Sequence, residues 1–88
     1  MKKKFVVENN LGLHARPAAL FVKTASRFRS DITLQKGKHK VSGKSIMEVM
    51  MLAAGSGSKV TIRVSGPDAH TAMKEIERLF ARKFEEKG

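Results

Sequence analysis

In Gly12-Leu13-His14-Ala15-Arg16-Pro17-Ala18-Ala19 a histidine stands where a helix begins. Pro17 suits the first helical position, because its missing N–H would have no partner there anyway. The amides of Ala18 and Ala19 are then expected to stay open and unobstructed. Open donors and the helix dipole both favour an anion at such a start. Arg16 adds a planar cation able to hold a phosphate by two bonds. A neutral imidazole has a lone pair for attack on phosphorus near physiological pH. Gly12, two residues before it, lets the loop approach closely. Together these residues suit a histidine that accepts a phosphoryl group and hands it on, since such transfer chiefly needs positioning and charge neutralisation. The bland alternative is a surface or capping histidine with no chemistry.

The pattern on either side gives the architecture. Lys4 to Glu8 reads as a first strand, and Asn9-Asn10 as a turn. Leu11 and Leu13 flank Gly12 and are expected to dip into the core. From Pro17 to about Arg29 the period becomes helical, with Ala18, Phe21, Val22, Ala25 and Phe28 on one stripe. Asp31 to Gln35 alternates as a strand. Lys36-Gly37-Lys38 is a turn, and His39 to Ser42 is the return strand of a hairpin. Ser45 followed by Glu48 fits a capping box and opens a short helix through Met51 or Leu52. Gly55-Ser56-Gly57-Ser58 breaks the chain and reads as a plain turn. Val60, Ile62 and Val64 mark the clearest strand. Asp68 is placed to cap a last helix whose buried face is Ala69, Met73, Ile76, Phe80 and Phe84, widened by Leu79. The order β-α-β-β-α-β-α predicts one domain, an α+β sheet with helices on one face.

Composition narrows the function. The 88 residues suffice for one modest core. No cysteine is present, which excludes a disulfide framework and a thiolate metal site. His14, His39 and His70 are too far apart to read as paired ligands, so no metal and no cofactor is expected. Met1-Lys2-Lys3-Lys4 is followed by only three apolar residues, too few for a signal peptide or a membrane span. A cytoplasmic protein without membrane insertion is the expectation. The 18 Lys and Arg against 8 Asp and Glu give a formal charge of +10, which suits acidic protein surfaces or anionic ligands. It would equally suit nucleic acid, although the lack of exposed stacking aromatics argues against that partner. A hydrolytic arrangement of Ser45, His14 and an acid is disfavoured by the absence of a nucleophile-elbow pattern.

Ser45 as an N-cap is worth roughly 0.5–2 kcal/mol. A phosphate would be tolerated there, because the dipole favours negative charge. The helix after it is too short to bury Ile46, Met47, Val49, Met50, Met51 and Leu52 together. Some must be exposed, and methionine-rich surface beside His14 suits docking on several partners.

Gly12-Leu13-His14-Ala15-Arg16-Pro17-Ala18 and Lys44-Ser45-Ile46-Met47 strongly resemble the HPr family, the histidine phosphocarriers of the bacterial phosphoenolpyruvate:sugar phosphotransferase system. The similarity extends over nearly the whole chain. It implies an open-faced sandwich of four antiparallel strands under three helices. It implies that His14, at the ring nitrogen nearer the backbone, accepts phosphate from phospho-Enzyme I and passes it to enzyme IIA domains. Arg16 matches the family's phosphate-stabilising arginine. Ser45 matches a position phosphorylated by an ATP-dependent HPr kinase/phosphorylase in members used for carbon catabolite repression. There Ile46 and Met47 match apolar positions that dock partners, among them a catabolite-control transcription regulator. Ala19, Lys23, Lys44, Met50 and Met51 complete the expected docking surface. The chain would act as a monomeric carrier and a substrate of phosphotransferases, not an enzyme. A regulatory or nitrogen-branch carrier with non-sugar outputs is the alternative within the family. The +10 charge departs from members nearer neutrality. The histidine at position 14 separates the chain from regulatory paralogues that lack it.

Overall fold

Alternation is clearest around Val60, Ile62 and Val64, and the computed structural model, which describes residues 1–85, places that strand in the interior of one sheet. Among these residues the strands are β1 (Lys2–Val6), β2 (Asp31–Lys36), β3 (His39–Ser42) and β4 (Lys59–Ser65). Their spatial order is β1-β4-β2-β3, and every neighbouring pair is antiparallel. Helices α1 (Ala15–Ala25), α2 (Ile46–Met51) and α3 (Ala69–Ala81) cover one face. The expected α+β open-faced sandwich is the fold observed.

Register explains the two faces. Leu34 opposes Ile62 and Ile32 opposes Val64, and all four are buried under the helices. Phe21, Val49, Met73 and Ile76 meet them from above. Side chains one residue out of phase, such as Thr61, Arg63, Thr33 and Gln35, point the other way, as the two-residue period of a strand requires. Lysine-rich β1 is an edge strand, where lysines discourage pairing with a further chain. It lies two residues earlier than the pattern around Val6 and Val7 suggests. Val7 turns inward and is tied to the loop before β4: its N–H donates to Ser58 O at 2.9 Å, and Gly57 N–H donates to Val7 O at 2.7 Å.

Several local expectations are corrected. Helix α1 begins at Ala15, so Pro17 is its third residue and not its first. Proline is tolerated throughout the first turn because those N–H groups lack intrahelical acceptors. The helix ends at Ala25, not near Arg29. Arg27 and Phe28 make only tighter bonds, to Thr24 O and Ala25 O at 3.2 Å each. The chain is then seized from far along the sequence. The Asp68 carboxylate accepts from Arg29 N–H at 2.9 Å, Ser30 N–H at 3.0 Å and Ser30 Oγ at 2.6 Å. Asp68 therefore stands at the N-cap position of α3, where its main-chain carbonyl accepts from Ala72 N–H at 3.0 Å, but its side chain does not cap the helix. On α3 the buried residues are Ala72, Met73, Ile76 and Phe80, while Ala69 and Leu79 are half-buried. Phe84 is buried as expected but lies beyond the helix, in a left-handed turn over Lys83–Glu85, edge-on to Phe80 with ring centroids 4.9 Å apart.

Candidate functional site

His14 is the N-cap of α1. Its backbone is extended (φ −77°, ψ −170°), its carbonyl accepts from Ala18 N–H at 2.9 Å, and its side chain does not cap the helix. The residue is half-exposed, so the imidazole is not sealed in the core. Arg16, on the first turn, is exposed.

The loop before His14 is held by short-range and long-range bonds. Gly12 N–H donates to Asn9 O at 2.9 Å, and buried Asn9 returns its amide to Gly12 O at 2.7 Å. Leu13 N–H donates to Ala54 O at 2.8 Å, which fastens the loop to the chain leaving α2. Gly12 has φ +67°, and a Cβ there would overlap the Ala54 carbonyl oxygen and lie 2.6 Å from Gly55 Cα. Glycine is thus required twice over, for its left-handed backbone and for the close approach. Asn9, read from the sequence only as a turn residue, is thus a buried support of the loop that carries His14.

The amide expectation is corrected at Ala18, whose N–H is consumed by His14 O. Ala18 is the fourth helical residue and Ala19 the fifth, past the turn whose donors lack intrahelical acceptors. Because Pro17 has no N–H, the helical amides able to face an anion are those of Ala15 and Arg16. Starting the helix two residues earlier moves the donors nearer to His14, which favours the same chemistry.

Helix α2 packs beside α1. Ser45 caps it by accepting Glu48 N–H at Oγ, 3.3 Å. The reciprocal half of the capping box is absent: Glu48 Oε1 accepts from Ser42 N–H at 3.2 Å instead. Val49 and Leu52 are buried, whereas Ile46, Met47, Met50 and Met51 are all exposed, Met47 at 73% and Met51 at 74%. Leu11 corrects the loop expectation. It is 75% exposed, while Leu13 is the residue that enters the core. Exposed Leu11 lies in the same loop, two residues before Leu13, which is fastened to Ala54. Exposed apolar surface of this extent is unusual on a small domain. Ala19 and Lys23 are exposed on α1. Lys44 is exposed too, but its Nζ donates to Phe28 O at 2.7 Å and pins the turn before α2 to the turn that follows α1. Among the described residues no group of His, Cys, Asp and Glu could hold a metal ion, and no helix is long and apolar enough to cross a membrane.

Comparison with known proteins decides what kind of site this is. The family model described as PTS HPr component phosphorylation site matches residues 1–82. The chain belongs to the HPr family. It is 55% identical over 80 residues to phosphocarrier protein HPr of Treponema pallidum, covering 91% of each chain. It is 45% identical over 76 residues to the HPr-like protein Crh of Bacillus subtilis, covering 86% of this chain and 89% of that one. The crystal structure of HPr from Thermoanaerobacter tengcongensis superimposes with a TM-score of 0.96 at 42% identity, over 100% of this chain and 99% of that one. As a member of the HPr family the chain is a phosphocarrier of the phosphotransferase system and not a catalyst in its own right.

Proposed function

We propose that His14 accepts a phosphoryl group from phospho-Enzyme I and delivers it to the enzyme IIA domains of sugar permeases, with the chain acting as a cytoplasmic monomer. The observation that carries this reading is a half-exposed imidazole at the N-cap of α1, with Arg16 on the adjoining turn. The ring nitrogen nearer the backbone attacks phosphorus, and the bond from phosphorus to the donor breaks as the P–N bond forms. Three equatorial oxygens carry the developing charge. The guanidinium of Arg16 and the amides of Ala15 and Arg16 are the groups of this chain that meet it. Expulsion of the same nitrogen by the next acceptor completes the relay.

The exposed apolar side chains of α2, with Ala19 and Lys23 on α1, serve as the docking surface in this reading. Apolar anchors beside lysines fit partners whose contact surfaces are apolar at the centre and acidic at the rim. Ser45 is the regulatory position. A phosphate on its Oγ lies at a helix start, where the dipole tolerates it, and places negative charge among residues that would otherwise meet acidic partners. Its effect is on docking and not on folding. An HPr kinase/phosphorylase and a catabolite-control regulator are the partners that would write and read it.

The test is a relay reconstituted from labelled phosphoenolpyruvate, Enzyme I, this chain and a IIA domain. Label reaches the IIA domain when the native chain is present and fails to when His14→Ala replaces it. Delivery by the folded His14→Ala chain would overturn the assignment.

A further inference from the structure

The face of the sheet turned away from the helices carries a second charged surface that phosphoryl transfer does not use. Alternation along each strand assigns Lys2, Lys4 and Val6 of β1, Lys59, Thr61 and Arg63 of β4, Thr33 and Gln35 of β2, and Lys40 and Ser42 of β3 to this face. Register sets them in rows. Lys2 lies beside Arg63, then Thr33 and Ser42; Lys4 lies beside Thr61, then Gln35 and Lys40; Val6 lies beside Lys59. Five cations on three strands thus surround a neutral polar centre, and among the described strand residues Asp31 is the one carboxylate on the face. Among the described residues no acidic side chain forms an ion pair with any of the five; Lys3, out of phase with them, instead reaches over to Glu77 at 2.8 Å. Like charges directly opposite on neighbouring strands, as at Lys2 and Arg63, cost stability, so their juxtaposition asks for a counter-charge from outside the chain. Two depressions, of about 440 and 290 Å³, adjoin at Arg63 on this face.

We infer that this open face docks reversibly on the headgroup plane of an anionic phospholipid membrane. The cations are spread in two dimensions, which matches a plane of phosphates better than the single track a nucleic-acid strand requires. No aromatic ring is available here to stack on bases, because all five phenylalanines belong to the core or pack against it. Among the described residues no apolar cluster is available on this face to anchor a protein partner, and Val6, 47% exposed, is its only large apolar side chain. Threonine, serine and glutamine between the cations supply hydrogen bonds to phosphate oxygens. A handful of basic residues gives weak, salt-sensitive attachment to an anionic leaflet. Helices α1 and α2 lie on the opposite face of the sheet, so attachment leaves His14 and the methionine surface accessible.

The experiment is co-sedimentation of the full chain with phosphatidylglycerol-containing and with pure phosphatidylcholine vesicles, alongside titration with RNA and duplex DNA at matched phosphate. The native chain sediments with the anionic vesicles only, and added salt releases it. The pair Lys59→Glu and Arg63→Glu weakens partitioning by about twenty-five-fold or more. The pair Lys74→Glu and Arg82→Glu, an equal charge change on the helix side, weakens it by only a few-fold. The milder Lys59→Gln and Arg63→Gln pair gives an intermediate loss if the reversal impairs folding. No sedimentation at low salt, equal loss in both reversal pairs, or tighter binding of RNA or DNA than of vesicles would each overturn the inference.

Discussion

Gly12→Ala tests how the loop before His14 is built. The native φ of +67° costs an L-residue about 1–2 kcal/mol. The new methyl would also overlap the Ala54 carbonyl oxygen and approach Gly55 C to 2.9 Å, and both of those atoms are backbone. Relief requires the loop to withdraw, which puts at risk the Leu13 N–H bond to Ala54 O, worth about 0.5–1.5 kcal/mol. The combined loss is about 1.5–3.5 kcal/mol, or roughly 6–28 °C in Tm for a domain of this size. Gly57→Ala is the control. Its φ of +87° carries the backbone penalty, but no atom lies within 4 Å of the added methyl, so it loses only about 1–2 kcal/mol. Urea titration of both variants measures the difference. Because withdrawal of the loop shifts His14, Gly12→Ala also accepts phosphate more slowly than its folded fraction explains, whereas Gly57→Ala does not. Equal destabilisation of the two variants would refute the close-approach argument.

Arg16→Ala changes stability by no more than about 0.5 kcal/mol, since the residue is exposed, but slows phosphoryl acceptance by roughly ten- to a hundred-fold; thermal melts and quench-flow labelling check the two halves. Ser45→Ala removes the α2 cap and costs about 1 kcal/mol in urea titration, while His14 is still phosphorylated. The Asp68 carboxyl is held below its ordinary value of 3.8, first by the Ser30 hydroxyl and then by the Arg29 N–H. A depressed folded value adds stability above the unfolded value and loses it as pH falls through the folded one. Asp68→Asn is therefore less stable than the native chain at about pH 6, and the gap narrows by about pH 2.5; a gap unchanged in acid would contradict this.

Elements held by periodicity were legible from the residues alone. The Val60–Val64 alternation, the Lys36–Lys38 turn and the Ser45 cap each appear where the pattern puts them. Three departures arise where distant residues decide. Helix α1 stops early because Asp68, from the far end of the chain, supplies acceptors for Arg29 and Ser30. Leu11 is exposed because Gly12 turns the backbone against Ala54 and only Leu13 is carried inward. Glu48 leaves its capping box because Ser42, at the end of β3, presents a donor. Local sequence holds no trace of these partners. His14 and Arg16 could be singled out because their chemistry and spacing lie within one loop and turn. The exposed apolar face of α2 was legible only as a surplus of apolar residues on a helix too short to bury them, and the structure specifies which four are exposed. Asn9 escaped notice because a buried asparagine looks like an ordinary turn residue until its bond to Gly12 O is seen.

The central claim is that the imidazole at the head of α1 is the phosphoryl carrier. Phosphorus NMR of the chain after incubation with Enzyme I and phosphoenolpyruvate measures it most directly. One acid-labile phosphoimidazole resonance should appear, assigned to His14 and missing from a folded His14→Ala chain. No such resonance, or one that survives in that variant through His39 or His70, would contradict it.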